Sequence, residues 1–268
     1  MKLPDQSIGM FDAEPRDNRQ DDSPEESARE SVTTHRQMRM ATPPAEPSWA
    51  TPAKLIDRHL ERSRDEWLLP FQLPQGCDGA RVLSTEDELL KLFSLRQDLF
   101  QKDGARGYHS ISSDPGYFVE SCDLPALQTA YLKSGRIQFG LRLQTAADIA
   151  SNPNYSDAWN CLRNVLSAND VLMTRFVSSD TSNGLRGIWE LFKLNYATAL
   201  ANDVKVSYLT CAPQHTVFFS RIGYRPFAEY ECRHAGAQHV LRLDLEDGDH
   251  LASVRSPLVP VWSEFFAP

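Results

Sequence analysis

Cysteine is sparse and scattered in this chain: Cys77, Cys122, Cys161, Cys211 and Cys232 stand far apart, with no C-x-x-C pair. An odd, dispersed set suits neither a disulfide framework nor a zinc site, so a reducing compartment is expected. Long apolar runs are missing too. No stretch approaches the roughly 18 residues of a membrane-spanning helix, and no charged start followed by an apolar core marks a secretory leader. A soluble, cytoplasmic protein without a membrane span is expected. Positive charge is in deficit, 28 Lys and Arg against 36 Asp and Glu, a formal net charge of -8. That speaks against nucleic acid as the main ligand, because phosphate neutralisation needs a basic face.

The 268 residues are 41% hydrophobic, enough to bury one substantial core. Residues 1–50 stand apart from it. DAEPRDNRQDDSPEESARES and ATPPAEPSWATP hold few apolar side chains and no periodicity. They offer too little surface to offset their ordering entropy, so a disordered N-terminal arm is expected, followed by one domain over 51–268.

Within that domain, AKLIDRHLERSRDEWLL reads as a helix after Pro52, and ARVLS as a short strand. Ser84, Thr85 and Glu88 form a capping signal for EDELLKLFSLRQDLFQ, whose Leu89, Leu90, Phe93, Leu95, Leu99 and Phe100 are expected to face a core. KDGARGYHSISSDPGYFVESC lacks periodicity, and a loop of that length in a compact domain is usually functional or mobile. TAYLKSGRIQFGLRL predicts a hairpin turning at Ser134-Gly135, and AADIASNPNYSDAWNCLRNVL a crossing loop with a short helix. Then come a strand at NDVLMTRFVSS, a helix from near Gly184, a strand at VKVSYLTCAP, a helix after Pro213, and strands at FAEYECRHA and QHVLRLDLE. Glu246, Asp247 and Asp249 beside His250 fall at a helix start, where the dipole favours acids, so no metal is expected there.

That order, an α/β chain with a mixed central sheet between helices, resembles the GNAT acyltransferase superfamily over about residues 85 to 255. Within it the chain is most similar to the autoinducer synthase and N-acyl amino acid synthase branch. LRQDLF resembles the family's R-x-x-x-F, giving Arg96 and Phe100. FVESCD resembles its acidic motif, giving Glu120 and Asp123. GLRL supplies Arg142, and MTRFVSS, similar to E-x-S-R-F-x-V, supplies Thr174, Arg175 and Phe176.

The resemblance implies transfer of a fatty acyl group from acyl-CoA or the acyl-phosphopantetheine of an acyl carrier protein to a small amine acceptor. Both thioesters would be co-substrates, with no tightly bound cofactor. It implies catalytic roles for Arg175, Thr174, Glu120 and Asp123, and substrate binding by Arg96, Phe100 and Arg142. Because buried charges must be paired, these arginines and acids are expected to form one network, serving either the acceptor pocket or only the hairpin's structure. The start of the helix, at Asn183, Gly184, Arg186 and Gly187, is the candidate phosphate cradle, with simple helix capping as the alternative. An acidic carrier protein would need a cationic entrance, for which Arg163, Arg175, Arg186 and Lys193 are candidates.

Three positions depart from the family. Leu172 stands where a Glu often precedes S-R-F. The phosphate loop lacks its middle Gly. Phe219 occupies the place of a proton-donating Tyr, leaving solvent or Tyr224 to protonate the thiolate. These departures also fit a catalytically silent module that binds an acyl ligand or a protein partner. Cys211 is expected to be an inert buried thiol and His215 a structural first-turn residue. The geometric expectation is a cleft where the strands ending at Val177 and Cys211 part.

Overall fold

The computed structural model describes residues 54, 56, 67, 69, 78–102, 108–150, 152–179 and 184–266. The arm expected over 1–50, most of the helix expected after Pro52, Cys77 and Asn183 lie outside the described residues.

A short strand, β1 (Gly79–Val82), leads into helix α1 (Glu86–Lys102). The helix starts as its sequence signals: Glu88 N–H donates to Thr85 Oγ1, and Ser84 N–H donates back to Glu88 Oε2, a reciprocal cap. The hairpin β2 (Leu127–Lys133) and β3 (Arg136–Thr145) follows. Its turn falls at Ser134 and Gly135, both at positive φ (51° and 72°), the backbone twist that suits a two-residue hairpin. Two short helices, α2 (Ala146–Ala150) and α3 (Ser156–Leu162), cross back to β4 (Val171–Ser178). Helix α4 (Gly184–Ala201) then leads to β5 (Val206–Cys211), and α5 (Thr216–Ile222) to the hairpin β6 (Arg225–Cys232) and β7 (Gly236–Asp244). Helices α6 (Gly248–Ser253) and α7 (Val259–Phe266) close the chain.

The strands form one sheet in the order β1-β2-β3-β4-β5-β7-β6, antiparallel throughout except for the parallel pair β4 and β5. Helix α1 packs on one face through Leu89, Leu92 and Phe93 against Ala130, Leu132, Ile137 and Val177. Leu92 is buried there, whereas Leu90, Leu95 and Leu99, expected to face the core, sit at the edge of the cluster. Helices α4 and α5 cover the other face with Leu191, Phe192, Tyr196, Phe219 and Ile222. No helix among the described residues is long and apolar enough to cross a membrane.

The acidic run at α6 is occupied by structure. Asp247 caps the helix by accepting from His250 N–H, Glu246 pairs with Lys205 at 2.5 Å, and Asp247 pairs with Arg225 at 2.9 Å.

Helix α1 presses so closely on β3 that a methyl group on Gly140 would meet Leu92 Cδ1 at 2.4 Å and Val177 Cγ2 at 3.0 Å. Gly140→Ala is therefore expected to lower stability by about 1–3 kcal/mol, the cost of overpacking a filled core. Urea denaturation should show a lower midpoint with an unchanged slope.

Candidate active site

Strand β4 carries an irregularity that organises the region. Arg142 of β3 pairs with Thr174 and Gly140 with Val177, so one residue of β3 opposes two of β4, a β-bulge. Arg175 sits in it at φ 54°, in the left-handed region. A non-glycine residue there costs on the order of 1–3 kcal/mol and persists only where its surroundings enforce it. The result is that Thr174 and Arg175, neighbours in sequence, both engage the network on the α1 face of the sheet, while Phe176 turns to the α4 face, where it packs against Phe139 and Phe192. Pairing between β4 and β5 covers Val171 to Met173 opposite Ser207 to Leu209 and stops just before the bulge. Beyond it no further β4–β5 pair forms among the described residues.

The α1 face holds a buried charge network. Arg175 grips Glu120 with two hydrogen bonds, Nε to Oε2 and Nη2 to Oε1, each 2.6 Å. Arg142 donates to Glu120 Oε2 and Asp123 Oδ1, both at 2.8 Å, and also to Thr174 Oγ1 and the Tyr155 hydroxyl. From α1, Arg96 reaches Asp123 Oδ1 at 2.7 Å and Gln128 Oε1 at 2.6 Å. Arg96, Arg142, Glu120 and Asp123 have at most 1% of their surface exposed. Three guanidinium groups thus face two carboxylates, an excess of one positive charge.

Aromatic rings take up part of that excess. The Arg175 guanidinium carbon lies 4.5 Å from the Tyr108 ring centre, 4.9 Å from Phe100, and 5.3 Å from both Phe118 and Tyr155. All are within cation–π range. Tyr108 also shares a side-chain hydrogen bond with Arg175, and the arginine side chain keeps 8% exposure.

The segment from Tyr108 to Phe118, expected to be functional or mobile, delivers two of these rings. Asn154 ties it down by exchanging hydrogen bonds with the His109 backbone and donating to Glu120 Oε1 at 2.5 Å. Tyr108, Phe118, Asn154, Tyr155 and Gln128 were missed by sequence reasoning. They come from irregular segments or a strand interior, where no period or motif marks them.

The electrostatics follow from the contacts. Burial alone would raise the Glu120 carboxyl, but Arg175 and Arg142 outweigh it and hold the group at about 2. Asp123 is likewise pulled well below the carboxylate range by Arg96 and Arg142, against its burial. Burial pushes up the Tyr155 phenol and lifts the neighbouring Cys122 thiol to about 12. Both carboxylates are ionised, saturated with donors and weakly basic. They position arginines and do not serve as proton acceptors.

The other candidates fall elsewhere. Gly184 opens α4 at φ 61° and Arg186 is exposed, paired with Glu190 one turn on. Gly187 is buried by packing: an added methyl would meet the Tyr131 ring at 2.8 Å and Phe139 at 3.0 Å. Its missing side chain lets α4 lie close to β2 and β3. Arg175 keeps 8% side-chain exposure and adds little to a surface entrance. Tyr224 is fully enclosed, its hydroxyl hydrogen-bonded with Ser207 Oγ at 2.9 Å and to Met173 Sδ at 3.2 Å. Burial raises the Cys211 thiol to about 11, as an inert thiol requires. His215 lies at the start of α5, with its imidazole shifted down by burial.

The network's acid dependence has a definite sign. Glu120 and Asp123 have lower values folded than their ordinary 4.5 and 3.8, so their stabilisation is present above those values. It is lost as pH falls from about 4.5 through about 2. Thermal melts followed by circular dichroism should show a steep fall in melting temperature across that window. Glu120→Gln should remove part of the fall while costing about 3–5 kcal/mol at neutral pH by leaving Arg175 unpaired.

No protein-family model and no curated protein matches the sequence. Solved structures do. The AHL synthase LasI aligns at a TM-score of 0.51 and 14% identity, over 63% of this chain and 91% of that one. FeeM, an N-acyl amino acid synthase from uncultured soil microbes, aligns at 0.51 and 13%, over 66% and 96%. MesI, a CoA-dependent acyl-homoserine lactone synthase, aligns at 0.50 and 17%, over 66% and 88%. At such identities the likeness speaks to architecture: this chain has the GNAT-type α/β fold, a mixed seven-stranded sheet flanked by helices.

Proposed function

We propose that the protein is an N-acyltransferase that moves an acyl group from an acyl-CoA or acyl-carrier-protein thioester to a small amine such as an amino acid. The observation that carries this reading is the end of β4–β5 pairing after Met173 and Leu209, at the bulge that presents Arg175 to one face. A slot between the strand edges would suit the narrow pantetheine arm, and β4 beyond Met173 has no β5 partner for its backbone groups among the described residues.

The chemistry asked of the site is modest. The amine nitrogen attacks the thioester carbonyl, the C–N bond forms, the C–S bond breaks, and the thiolate takes up the proton that the nitrogen loses. Positioning and backbone dipoles supply much of the acceleration in such a step. The acceptor's own anionic group would dock beside Arg175, where one positive charge is in excess. Glu120, Asp123, Arg142 and Thr174 hold that arginine in place, and Arg96 anchors Asp123 from behind. On the donor side, the first turn of α4 at Gly184, together with Asn183, would meet the phosphate, with Arg186 moving from Glu190 to join it. Arg163 and Lys193 remain candidates for the entrance facing a carrier protein, and the cytoplasm is the compartment this reading implies.

A second reading, a silent module that binds an acyl ligand or a partner, is favoured by Phe219 and by the tethered Tyr224 hydroxyl. Free-thiol release from acyl-CoA and acyl-carrier-protein substrates, with and without amino acids, separates the two. Amine-dependent release supports the enzyme; no release with any donor leaves the module.

In the enzyme, Arg175→Ala is expected to lower kcat/KM by about 100-fold or more, as misplacement of a reacting group does. It should also destabilise the fold by about 3–5 kcal/mol, because Glu120 is left buried and unpaired. Arg175→Lys, which keeps the charge but not the two-pronged grip, should fold better and still lose turnover. Arg186→Ala should raise KM for the donor about three- to tenfold with kcat little changed, the pattern of lost uniform binding. Steady-state kinetics with purified variants check all three.

A further inference from the structure

We infer that a cavity at the far end of the sheet from Arg175 binds a small primary ammonium ion, with Asp170 as its counter-charge and Trp67 as its aromatic wall. The inference does not depend on acyl transfer.

The cavity has a volume of about 160 Å³. Thr145, the last residue of β3, and Val171, the first of β4, are partners in the sheet register and both line it. Asn169 and Asp170 join them from the turn before β4, and Val204 from the stretch between α4 and β5. Trp67 adds an indole. Val171 precedes Arg175 by four residues, about 13 Å along a strand. Val171 also packs in the cluster beneath α4, whereas Arg175 engages the network on the α1 face. The cavity and the candidate active site are therefore separate places.

Asp170 is what marks the cavity for a cation. It is 4% exposed, and a carboxylate so buried calls for a partner. Its Oδ2 accepts one hydrogen bond, from the Ser167 N–H at 2.9 Å, and no ion pair reaches it among the described residues. Arg242 feels the charge of Asp170, yet its guanidinium is committed to Asp244 at 2.5 Å. One backbone N–H does not neutralise a whole charge.

The rest of the lining suits an ammonium group, which has three N–H donors and no acceptor. The Thr145 hydroxyl donates to Asp148 Oδ2 at 2.8 Å, so its oxygen can only accept from a ligand. Asn169 offers an amide oxygen, and the face of an indole is the best of the aromatic partners for a cation. Val171 and Val204 suit a short alkyl stem. No lysine or arginine lines the cavity, so nothing there answers an anion. The volume holds about five water-sized groups, which limits the ligand to a small amine. An amino acid fits less well, because its carboxylate would meet that of Asp170.

Calorimetric titration of the full-length protein with propylammonium chloride, backed by tryptophan fluorescence and run without any thioester, tests the site. Saturable binding is expected, with a Kd on the order of a millimolar or tighter. Potassium chloride and 1-propanol, which has the same shape without the charge, should not reproduce it, and glycine should bind more weakly. Asp170→Asn keeps an oxygen for the Ser167 N–H while removing the charge, and should weaken propylammonium about tenfold or more. Trp67→Leu should weaken it about two- to thirtyfold.

Propanol binding as tightly as propylammonium overturns the inference, because the cavity would then take any small apolar molecule. So does a titration without saturation in either signal. An Asp170→Asn variant that folds and keeps wild-type affinity overturns it too, since the amine would then sit elsewhere, at Arg175 included. Should Asp170→Asn fail to fold, Trp67→Leu and the comparison of propylammonium with propanol on the wild type decide.

Discussion

The two-pronged bond between Arg175 and Glu120 is the contact on which the rest of the site depends. It holds a left-handed residue in the middle of a strand, a conformation that the backbone alone disfavours. That bulge comes where β4 ceases to pair with β5, and it sends Arg175 to one face and Phe176 to the other. Burying the pair carries a desolvation cost, which its Coulomb attraction and the surrounding hydrogen bonds must offset. Arg142, Asp123 and Asn154 provide those bonds, while Arg96 Nε is left without a hydrogen-bond partner among the described residues.

Much of this was legible in the residues. The Ser134-Gly135 turn, the cap at Thr85 and Glu88, and the alternation of strand and helix after Asn169 rest on local rules, and local rules hold wherever tertiary contacts agree with them. Arginines interrupting GLRL and MTRF were readable because a buried charge must find a partner. The pairing of Arg142 with Glu120 and Asp123 was foreseen for that reason. The cage around Arg175 was not. Tyr108 and Phe118 arrive on a segment without periodicity, and Tyr155 ends a short turn, so only three-dimensional closure brings them together. Nor was the packing of Gly187 foreseen: its missing methyl lets α4 lie against Tyr131, a contact that no local pattern marks.

The bulge gives β4 two sides. Thr174 and Arg175 join the ionised network on the α1 face, where Tyr108, Phe118 and Tyr155 also line the guanidinium, while Phe176 packs with Phe139 and Phe192 on the α4 face. Under the acyltransferase reading, this division would let an acceptor and a donor approach from different sides. Phe219 suits its apolar layer, since a phenol there would need a hydrogen-bond partner.

Interlocked burial also shapes how the sequence can drift. An exposed ion pair can lose one member at little cost, but Arg96, Arg142, Arg175, Glu120 and Asp123 share oxygens, so a lone replacement strands a charge that its neighbours cannot absorb. Tolerated histories therefore pass through compensated double changes, or through neutral residues that replace a donor and its acceptor together. A reader searching for distant kin of this chain should weigh the five positions jointly, because their substitutions carry meaning as a set.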